Sequence, residues 1–381
     1  MKLSEPVKNI HAADQGEIIF FTTAIKVEWS RHRLLELVKN KLHQANYQFT
    51  IVTHSNKDLL ANPASAEITY ADQVIELASY RGIFRYLKVL TLFFQRKPKI
   101  VLIGGYGYAI LWWVALISLL FNAKRVVWTG SGKQTRRSDS GIKTFLKKIF
   151  VLMINQFLTY GSESAAYLRE LGVDRGKIIK TVNVGNITTI KAKSESYAES
   201  HADKTTIHPA VEQTALPIIV YAGRLEENKG IKILVSTLTQ SALPFQLYIA
   251  GSGKLHPWIA DRAAKDSRIH YVGQLEPDQL IEILSQAQLF VQPTLNDPFS
   301  RIISEAIACG CYVAGSIYDD ASYDLITPSN GVILDPLASD YLQQLETALT
   351  QSTCVDRKLI RNSLMRTEIM YSDDIIQALL S

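Results

Sequence analysis

The sequence predicts an α/β protein made of two Rossmann-like, doubly wound domains that face a cleft. Short apolar runs of strand length alternate along the chain with stretches whose apolar residues recur at helical spacing. Several of these runs end in glycine-rich turns, which is where open parallel sheets bind ligands. The chain has 381 residues, which suits two domains that each bury a core.

Composition and charge indicate a globular protein without a nucleic-acid partner. Hydrophobic residues make up 47% of the chain and charged residues 20%, and a formal net charge of +5 is too small to indicate nucleic-acid binding. The cysteines Cys309, Cys311 and Cys354 have no histidines at metal-ligand spacing, and the first two are too close for an ordinary disulfide. We expect all three to be reduced core residues of a cytoplasmic protein.

Two segments bear on membrane insertion. Residues 1–15 are polar and lack the apolar stretch of a secretory signal. The longest apolar run, 109–121, is shorter than the roughly 20 residues that span a bilayer. It predicts a buried helix, and the alternative is a helix that contacts a membrane surface through its tryptophans.

The first half of the chain predicts one doubly wound domain. The expected strands are 16–23, 47–53, 99–103, 126–129, 157–162 and 178–183, and the expected helices are 31–44, 83–96, 109–121 and 165–171. Gly104 and Gly105 follow one strand, and Gly130 and Ser131 follow the next. Each of these two segments is either a tight turn or a functional loop. The spacing of their glycines does not match a dinucleotide-binding or phosphate-binding loop.

Residues 124–148 are strongly basic. Asp139 is the only acid among them, against the cations Lys124, Arg125, Lys133, Arg136, Arg137, Lys143, Lys147 and Lys148. Apolar residues then recur at helical spacing, at Ile142, Phe145, Leu146 and Ile149. This pattern is typical of a surface for anionic lipid, and the alternative is a solvated helix packed on the domain core. Our hypothesis is that it engages a membrane-borne diphosphate acceptor.

A pair of cations follows the first strand of the second half. The strand 216–222 ends in the turn 223–230, which contains Arg224 and Lys229 and leads to a helix at 231–239. A guanidinium and an ammonium at the carboxyl end of a strand can neutralise a diphosphate. The alternative is a surface turn in which both cations pair with neighbouring glutamates.

The segment 296–310 predicts a loop followed by a helix. Ser300 is suited to cap this helix through its hydroxyl. We expect a core-facing side of Ile302, Ile303, Ala306, Ile307 and Cys309, with Arg301, Ser304 and Glu305 on the other side. Asp297 and Glu305 then lie near a helix N-terminus, where free N–H groups favour anions. Phosphate on the N–H groups and sugar hydroxyls on the acids would make a nucleotide-sugar site, and ordinary capping of a surface helix is the alternative.

These motifs resemble a known family. Asp-Pro-Phe-Ser followed by Ser-Glu-Ala, over 297–306, resembles the E-x7-E signature of retaining GT-B glycosyltransferases of family 4, the glycosyl transferases group 1. The turn 223–230 resembles the family's Gly-Arg-Leu…Lys-Gly motif, and 268–275 resembles the segment that meets the nucleotide base through its backbone. The chain departs from the signature twice, since Asp297 replaces a glutamate and Ser300 a glycine. The resemblance is detailed in the second half and only architectural in the first.

The polar, aperiodic residues 191–214 predict a linker. It separates an N-terminal acceptor-side domain at 1–190 from a C-terminal nucleotide-sugar-binding domain at 215–360. By analogy with the fold, the final helix at 361–381 crosses back to the first domain.

The resemblance implies transfer of a hexose-type sugar, with retention at the anomeric carbon, from a UDP- or GDP-sugar to a glycan or polyprenyl-diphosphate-linked acceptor. The implied setting is surface polysaccharide assembly in the cytoplasm, with peripheral contact to the inner face of the membrane. The alternatives are a sugar-nucleotide epimerase and a non-catalytic sugar-phosphate binding protein.

The resemblance also implies a site. Its expected catalytic residues are Arg224, Lys229 and Asp297, with no metal cofactor. The expected donor-binding residues are Gly223, Arg224, Lys229, Gly251, Gly253, Gln274, Leu275, Asp297, Phe299, Ser300, Arg301 and Glu305. The expected acceptor-side residues are Gly104, Gly105, Gly130, Ser131, Arg136 and Arg137.

Overall fold

A computed structural model describes residues 15–22, 29–54, 70–77, 79–132, 141–181, 184–201, 216–364 and 366–381. The strands of the first domain are β1 (Gly16–Thr22), β2 (Tyr47–Thr53), β3 (Gln73–Glu76), β4 (Ile100–Ile103), β5 (Lys124–Thr129), β6 (Gln156–Thr159) and β7 (Ile178–Lys180). Its helices are α1 (Trp29–Gln44), α2 (Ile83–Arg96), α3 (Ala109–Leu120), α4 (Gly141–Leu152) and α5 (Ser162–Glu170), with a 3-10 turn at Arg175–Lys177.

The remaining elements follow in chain order. Helix α6 (Ile187–His201) precedes the strands β8 (Ile218–Ala222), β9 (Gln246–Ala250), β10 (Ile269–Gly273), β11 (Leu289–Val291), β12 (Tyr312–Ser316) and β13 (Gly331–Leu334). The helices of this half are α7 (Ile231–Leu238), α8 (His256–Lys265), α9 (Pro277–Leu284), α10 (Arg301–Ala308), α11 (Asp320–Leu325), α12 (Tyr341–Ser352), α13 (Arg357–Ser363) and α14 (Glu368–Leu380), with a 3-10 turn at Glu227–Lys229.

Each half of the chain forms one parallel sheet. Within the described residues, the first sheet has seven strands in the order β3-β2-β1-β4-β5-β6-β7, and the second has six in the order β10-β9-β8-β11-β12-β13. Neighbouring strands pair in parallel throughout, as in the pairing of β1 with β2 and β4. The predicted class, two doubly wound α/β domains, is confirmed.

Both faces of the first sheet are buried, and its strands are accordingly apolar. In β1, Ile18 and Phe20 point into one hydrophobic cluster, whereas Ile19 and Phe21 point into another. Successive side chains of a strand alternate between faces, so a strand covered on both sides must be apolar at nearly every position.

Helices α2, α3 and α4 lie side by side on one face of the first sheet. The indole N–H of Trp113 in α3 donates to the carbonyl of Tyr86 in α2 at 3.1 Å. On the other side of α3, the rings of Trp112 and Phe150 are 4.8 Å apart. Right-handed crossovers between successive parallel strands produce this arrangement. No helix among the described residues has the length and apolar character needed to cross a bilayer.

The C-terminal helix α14 packs on the first domain. The ammonium of Lys41 in α1 donates to the hydroxyl of Ser372 at 2.8 Å, and that of Lys124 in β5 donates to the carbonyl of Leu379 at 3.0 Å. A second contact joins the domains at the start of α5, where the backbone N–H of Ser162 donates to the carboxylate of Asp324 at 2.7 Å. The carboxyl edges of the two sheets therefore meet.

Several predicted elements differ from the structure. Helix α6 occupies residues 187–201, so the first part of the expected linker is helical, and residues 202–215 lie outside the described residues. The edge strand β3 was not predicted, because it is short and only partly buried. The predicted final helix at 361–381 is instead divided, because α13 ends at Ser363 and α14 begins at Glu368. Cys309 and Cys311 are buried, but Cys354 is exposed, so the prediction of three core cysteines was wrong for that residue.

Gly230 ends the turn that carries Lys229 and starts α7. Its φ is 69°, and a Cβ there would lie 1.8 Å from the carbonyl oxygen of Pro293. We expect Gly230→Ala to lower the free energy of unfolding by about 2–4 kcal/mol, since it adds a left-handed alanine and a backbone clash. The midpoint of urea unfolding measures this. The matched control is Gly107→Ala, where a Cβ meets no described atom within 4 Å, and equal midpoints for both variants would contradict the expectation.

Candidate functional site

The predicted cations and acids of the second domain share one cavity of about 450 Å³. It lies at the carboxyl ends of β8 and β11, where an open parallel sheet places ligand sites. Its lining residues are Tyr221, Ala222, Gly223, Arg224, Lys229, Leu280, Gln292, Asp297, Phe299, Ser300, Arg301, Ile302 and Glu305. Arg224, Lys229, Asp297 and Glu305 are therefore brought together as the spacing of their motifs suggested.

The turn after β8 presents two cations in different environments. Arg224 is 63% exposed at its side chain and pairs with Glu226 at 2.9 Å. Its carbonyl accepts a hydrogen bond from the hydroxyl of Tyr221 at 2.9 Å, which fixes the backbone of the turn. Burial raises the pKa of Tyr221, so this phenol stays a donor. Lys229 is buried, whereas the exposed side chain of Arg224 has room to change its conformation.

Lys229 and Asp297 form an ion pair across the cavity floor. Their side chains are only 11% and 14% exposed. The other carboxylate oxygen of Asp297 accepts from the backbone N–H of Phe299 at 3.0 Å. Two residues predicted to hold different parts of a ligand, the diphosphate and the sugar, are thus each other's partners in this structure.

Ser300 occupies the N-cap position of α10, but its hydroxyl does not cap the helix. The hydroxyl instead accepts from the side-chain amide of Gln292 at 2.8 Å. The backbone N–H of Ser300 donates to the carboxylate of Asp319 at 3.1 Å. The predicted capping role of the hydroxyl was therefore wrong. The backbone N–H groups of Phe299 and Ser300, two of the expected donor-binding residues, donate to carboxylates in this structure.

The exposed side of α10 is narrower than predicted. Glu305 lies one turn into the helix and lines the cavity together with Arg301. Ser304 was expected beside them but is fully buried, and its hydroxyl donates to the carbonyl of Arg301 at 2.7 Å. Ile302, expected in the core, lines the cavity instead. The helix is rotated so that Glu305, and not Ser304, faces the ligand space.

The sequence reasoning missed an acidic pair next to the site, Asp319 and Asp320. Asp319 is fully buried and accepts from the backbone N–H groups of Ser300 and Ala321, so it joins the starts of α10 and α11. Burial, and then the charge of Asp297, raises the pKa of Asp319 well above its usual range. The signal was available, because two adjacent acids directly after an apolar parallel strand fall at the ligand edge of a sheet.

Asp320 faces the first domain. It is 1% exposed, and among the described residues neither of its carboxyl oxygens has a hydrogen-bond partner. A Cβ on Gly132, after β5, would lie 2.3 Å from one of these oxygens. Burial, and then the nearby charge of Glu163, raises the pKa of Asp320 to about 8. The carboxyl group is therefore held mainly in its neutral form at neutral pH.

Gly251 and Gly253, two other predicted donor-binding residues, lie against the backbone of the turn after β8. A Cβ on Gly251 would lie 1.8 Å from the carbonyl oxygen of Gly223, and one on Gly253 would lie 2.5 Å from that of Leu225. These glycines let the ends of β8 and β9 approach each other closely. Gln274 accepts from the hydroxyl of Ser252 at 3.2 Å, and neither it nor Leu275 lines the cavity.

The predicted acceptor-side residues that the structure describes do not line the cavity. Gly104 and Gly105 follow β4, and Gly130 packs against the ring of Tyr160. The N–H of Ser131 donates to the hydroxyl of Thr129 at 3.2 Å. Arg136 and Arg137 lie outside the described residues. In the part of the chain that the structure describes, no cluster of three or more His, Cys, Asp or Glu side chains is placed to hold a metal ion.

Sequence similarity to known proteins is concentrated in the second domain. Residues 216–351 match the family model described as glycosyl transferases group 1. Over 124 residues the chain is 29% identical to the glycogen synthase of Mycobacterium tuberculosis, a match that covers 31% of this chain and 30% of that protein. Over 166 residues it is 25% identical to the N,N'-diacetylbacillosaminyl-diphospho-undecaprenol alpha-1,3-N-acetylgalactosaminyltransferase of Campylobacter jejuni, covering 43% of each chain. The matched segments span less than half the length of each relative.

Structural similarity extends over nearly the whole chain. A glycosyltransferase from Rickettsia africae has a TM-score of 0.72 to this structure at 15% identity, covering 96% of this chain and 98% of that one. At such identity the similarity shows the fold alone. It confirms the GT-B arrangement of two Rossmann-like domains facing a cleft.

The raised pKa of Asp320 predicts a pH-dependent stability. The folded protein keeps this proton up to about pH 8, whereas an unfolded aspartate, whose pKa is about 3.9, releases it much earlier. The folded state thus binds more protons between these values, and this group lowers the free energy of unfolding as pH rises through the window. We expect Asp320→Asn to raise the urea midpoint above wild type by more at pH 8 than at pH 5.

The matched control for this measurement is the exposed Asp261→Asn, which should shift the midpoint equally at both pH values. A gain from Asp320→Asn that is the same at pH 5 and pH 8 would show that the group does not carry a bound proton in the folded protein.

Proposed function

We infer that this chain, which has the GT-B fold, is a member of the glycosyl transferases group 1 and transfers a sugar from a nucleotide-sugar donor to an acceptor hydroxyl. The observation that carries the proposal is the single cavity in which Arg224, Lys229, Asp297 and Glu305 meet at the carboxyl edge of the second sheet. Cations suited to a diphosphate and carboxylates suited to hydroxyls are the two chemistries that a nucleotide sugar requires.

We assign the diphosphate to the two cations. Lys229 supplies a positioned point charge, and Arg224 supplies a planar fork that is exposed enough to leave Glu226 and close on a phosphate. Negative charge on the departing nucleoside diphosphate grows as the bond to the anomeric carbon breaks, so these cations stabilise the transition state more than the ground state. The proposal needs no metal ion, because side chains supply the positive charge.

We assign binding of the nucleotide sugar's hydroxyl groups to the two acids. Glu305, half-buried on α10, accepts from the ribose hydroxyls. Asp297 orients the transferred sugar and keeps Lys229 extended toward the diphosphate. In the reaction, the bond from the anomeric carbon to the diphosphate oxygen breaks and a bond to the acceptor oxygen forms with retention, while the proton of the acceptor hydroxyl passes to the departing diphosphate. We assign no side-chain nucleophile.

The proposed sugar is of the hexose type, and the proposed acceptor is a glycan or a polyprenyl-diphosphate-linked saccharide in surface polysaccharide assembly. The relative from Campylobacter jejuni, whose name specifies a diphospho-undecaprenol acceptor, supports the lipid-linked class. The first domain would hold this acceptor at the carboxyl edge of its sheet, and the protein would contact the inner face of the membrane peripherally.

Removing the buried cation tests the diphosphate assignment. We expect Lys229→Ala to lower kcat about 10²- to 10³-fold, since it deletes a charge aimed at the leaving group. The assay is release of nucleoside diphosphate from a panel of UDP- and GDP-sugars, with and without polyprenyl-diphosphate saccharides. Lys232→Ala is the matched control, because Lys232 lies three residues further on, at the start of α7, and outside the cavity. A near-wild-type kcat in a folded Lys229→Ala protein would refute the role, and an isomerised donor without acceptor would indicate an epimerase.

Removing the acid of α10 tests the ribose assignment. We expect Glu305→Ala to weaken binding of free UDP or GDP by about 10- to 100-fold, the effect of losing hydrogen bonds to a charged group. Isothermal titration calorimetry measures the change. Glu346→Ala, in α12 and away from the cavity, is the control and should bind the nucleotide as wild type does. Unchanged affinity in Glu305→Ala would move the ribose contact to another residue.

A further inference from the structure

The outward side of α2, α3 and α4 concentrates the apolar surface of the protein. Twelve of the nineteen large apolar side chains that the described residues expose lie on these helices. The most exposed are Ile83 at 68%, Phe84 at 65%, Phe94 at 62%, Leu120 at 74%, Ile142 at 74%, Phe145 at 62% and Leu152 at 81%. Monomeric proteins rarely expose so much contiguous apolar surface without a partner. We call this surface the three-helix face.

These side chains belong to one continuous surface. Helix α3 contacts α2 through Trp113 and α4 through Trp112, so the helices form a single layer on the sheet. Their buried residues, such as Val89, Leu111 and Phe150, point into the common core beneath. The opposite sides of the helices therefore point together into solvent.

The charge on the three-helix face has one sign. Helices α2, α3 and α4 contain no aspartate or glutamate. Their cations include Lys143 and Lys148, which are exposed and have no acidic partner among the described residues. Arg96 and Lys147 are used internally, by Glu17 and by the hydroxyl of Tyr167. Exposed apolar groups with unopposed lysines match an anionic lipid surface, whose headgroups attract cations while its acyl region takes up apolar side chains.

We propose that the three-helix face docks on an anionic lipid bilayer. Its apolar side chains enter the headgroup region, and Lys143 and Lys148 contact lipid phosphates. No described helix can span the bilayer, so the helices lie along its surface. A second copy of the chain fits less well, because self-pairing would bring like charges together. The inference rests on the proposed peripheral membrane contact and gives it a surface, but it does not require sugar transfer.

Vesicle flotation tests the proposal, with phosphatidylcholine vesicles that either contain or lack phosphatidylglycerol. Wild type should float with the anionic vesicles and bind neutral ones at least about tenfold more weakly. The pair Lys143→Glu and Lys148→Glu should lower binding to anionic vesicles by at least about tenfold. The pair Phe84→Ser and Phe145→Ser should lower binding to both vesicle types, since it removes the inserted groups.

Matched controls lie on the second domain, where Leu337→Ser with Leu359→Ser, and Lys265→Glu with Lys358→Glu, change the same chemistry at exposed positions. These controls should float as wild type does. Binding unchanged in both face variants, or weakened equally in the controls, would overturn the proposal. So would light scattering that shows a lipid-free dimer dispersed by the face variants, which would assign the face to a second copy.

Release of nucleoside diphosphate, assayed without vesicles, separates the two proposals. The single variant Phe84→Ser should keep the wild-type rate, because Phe84 lies in α2, outside both the donor cavity and the basic segment 124–148. Flotation without any such release in wild type would sustain the docking face and reject the proposed function, whereas release without flotation would do the reverse.

Discussion

The buried ion pair between Lys229 and Asp297 is the contact on which the second domain's ligand cavity depends. It ties the turn after β8 to the loop before α10, two segments that are 68 positions apart in the chain. Burying two charges is costly unless the geometry is good and further hydrogen bonds are made, and here Asp297 also accepts from the N–H of Phe299. A pair of hydrophobic side chains could hold the turn and the loop together equally well. The charged pair is what the proposed diphosphate ligand would use.

A second constraint comes from the meeting of the two sheets. Asp324 accepts from the N–H and the hydroxyl of Ser162 and pairs with Lys180 at 3.1 Å, so an acid of the second domain caps a helix of the first. Asp320 is buried against Gly132 in the same contact. Two acids of α11, Asp320 and Asp324, therefore lie in the contact between the domains, and Asp324 forms hydrogen bonds across it. We therefore expect a change of protonation or of bound ligand at one of these acids to alter the contact between the two domains.

The sequence predicts the fold and the cavity's charged residues because both depend on local patterns. Apolar runs such as 218–222 are fully buried and define strands, and the motifs carrying Lys229 and Glu305 both follow strands, whose carboxyl ends must meet at one edge. The missed details depend on tertiary contacts. The partner of the Ser300 hydroxyl, Gln292, comes from the preceding strand end, and the rotation that buries Ser304 is set by packing. The edge strand β3 is too short and too polar to be recognised from its sequence. Helix α6 is a polar stretch that packs on α9 and α10, and its sequence does not reveal those contacts.

The central claim is that Lys229, held by Asp297, binds the diphosphate of a nucleotide. Titration calorimetry of UDP and GDP against wild type, Lys229→Gln, Asp297→Asn and the double variant tests it most directly. The account predicts weaker binding for Lys229→Gln and equal or tighter binding for Asp297→Asn, since the cation is then released to the phosphate, with the double variant as weak as Lys229→Gln. If Lys229→Gln and Asp297→Asn weaken binding equally, the pair is only a structural contact and the account is contradicted.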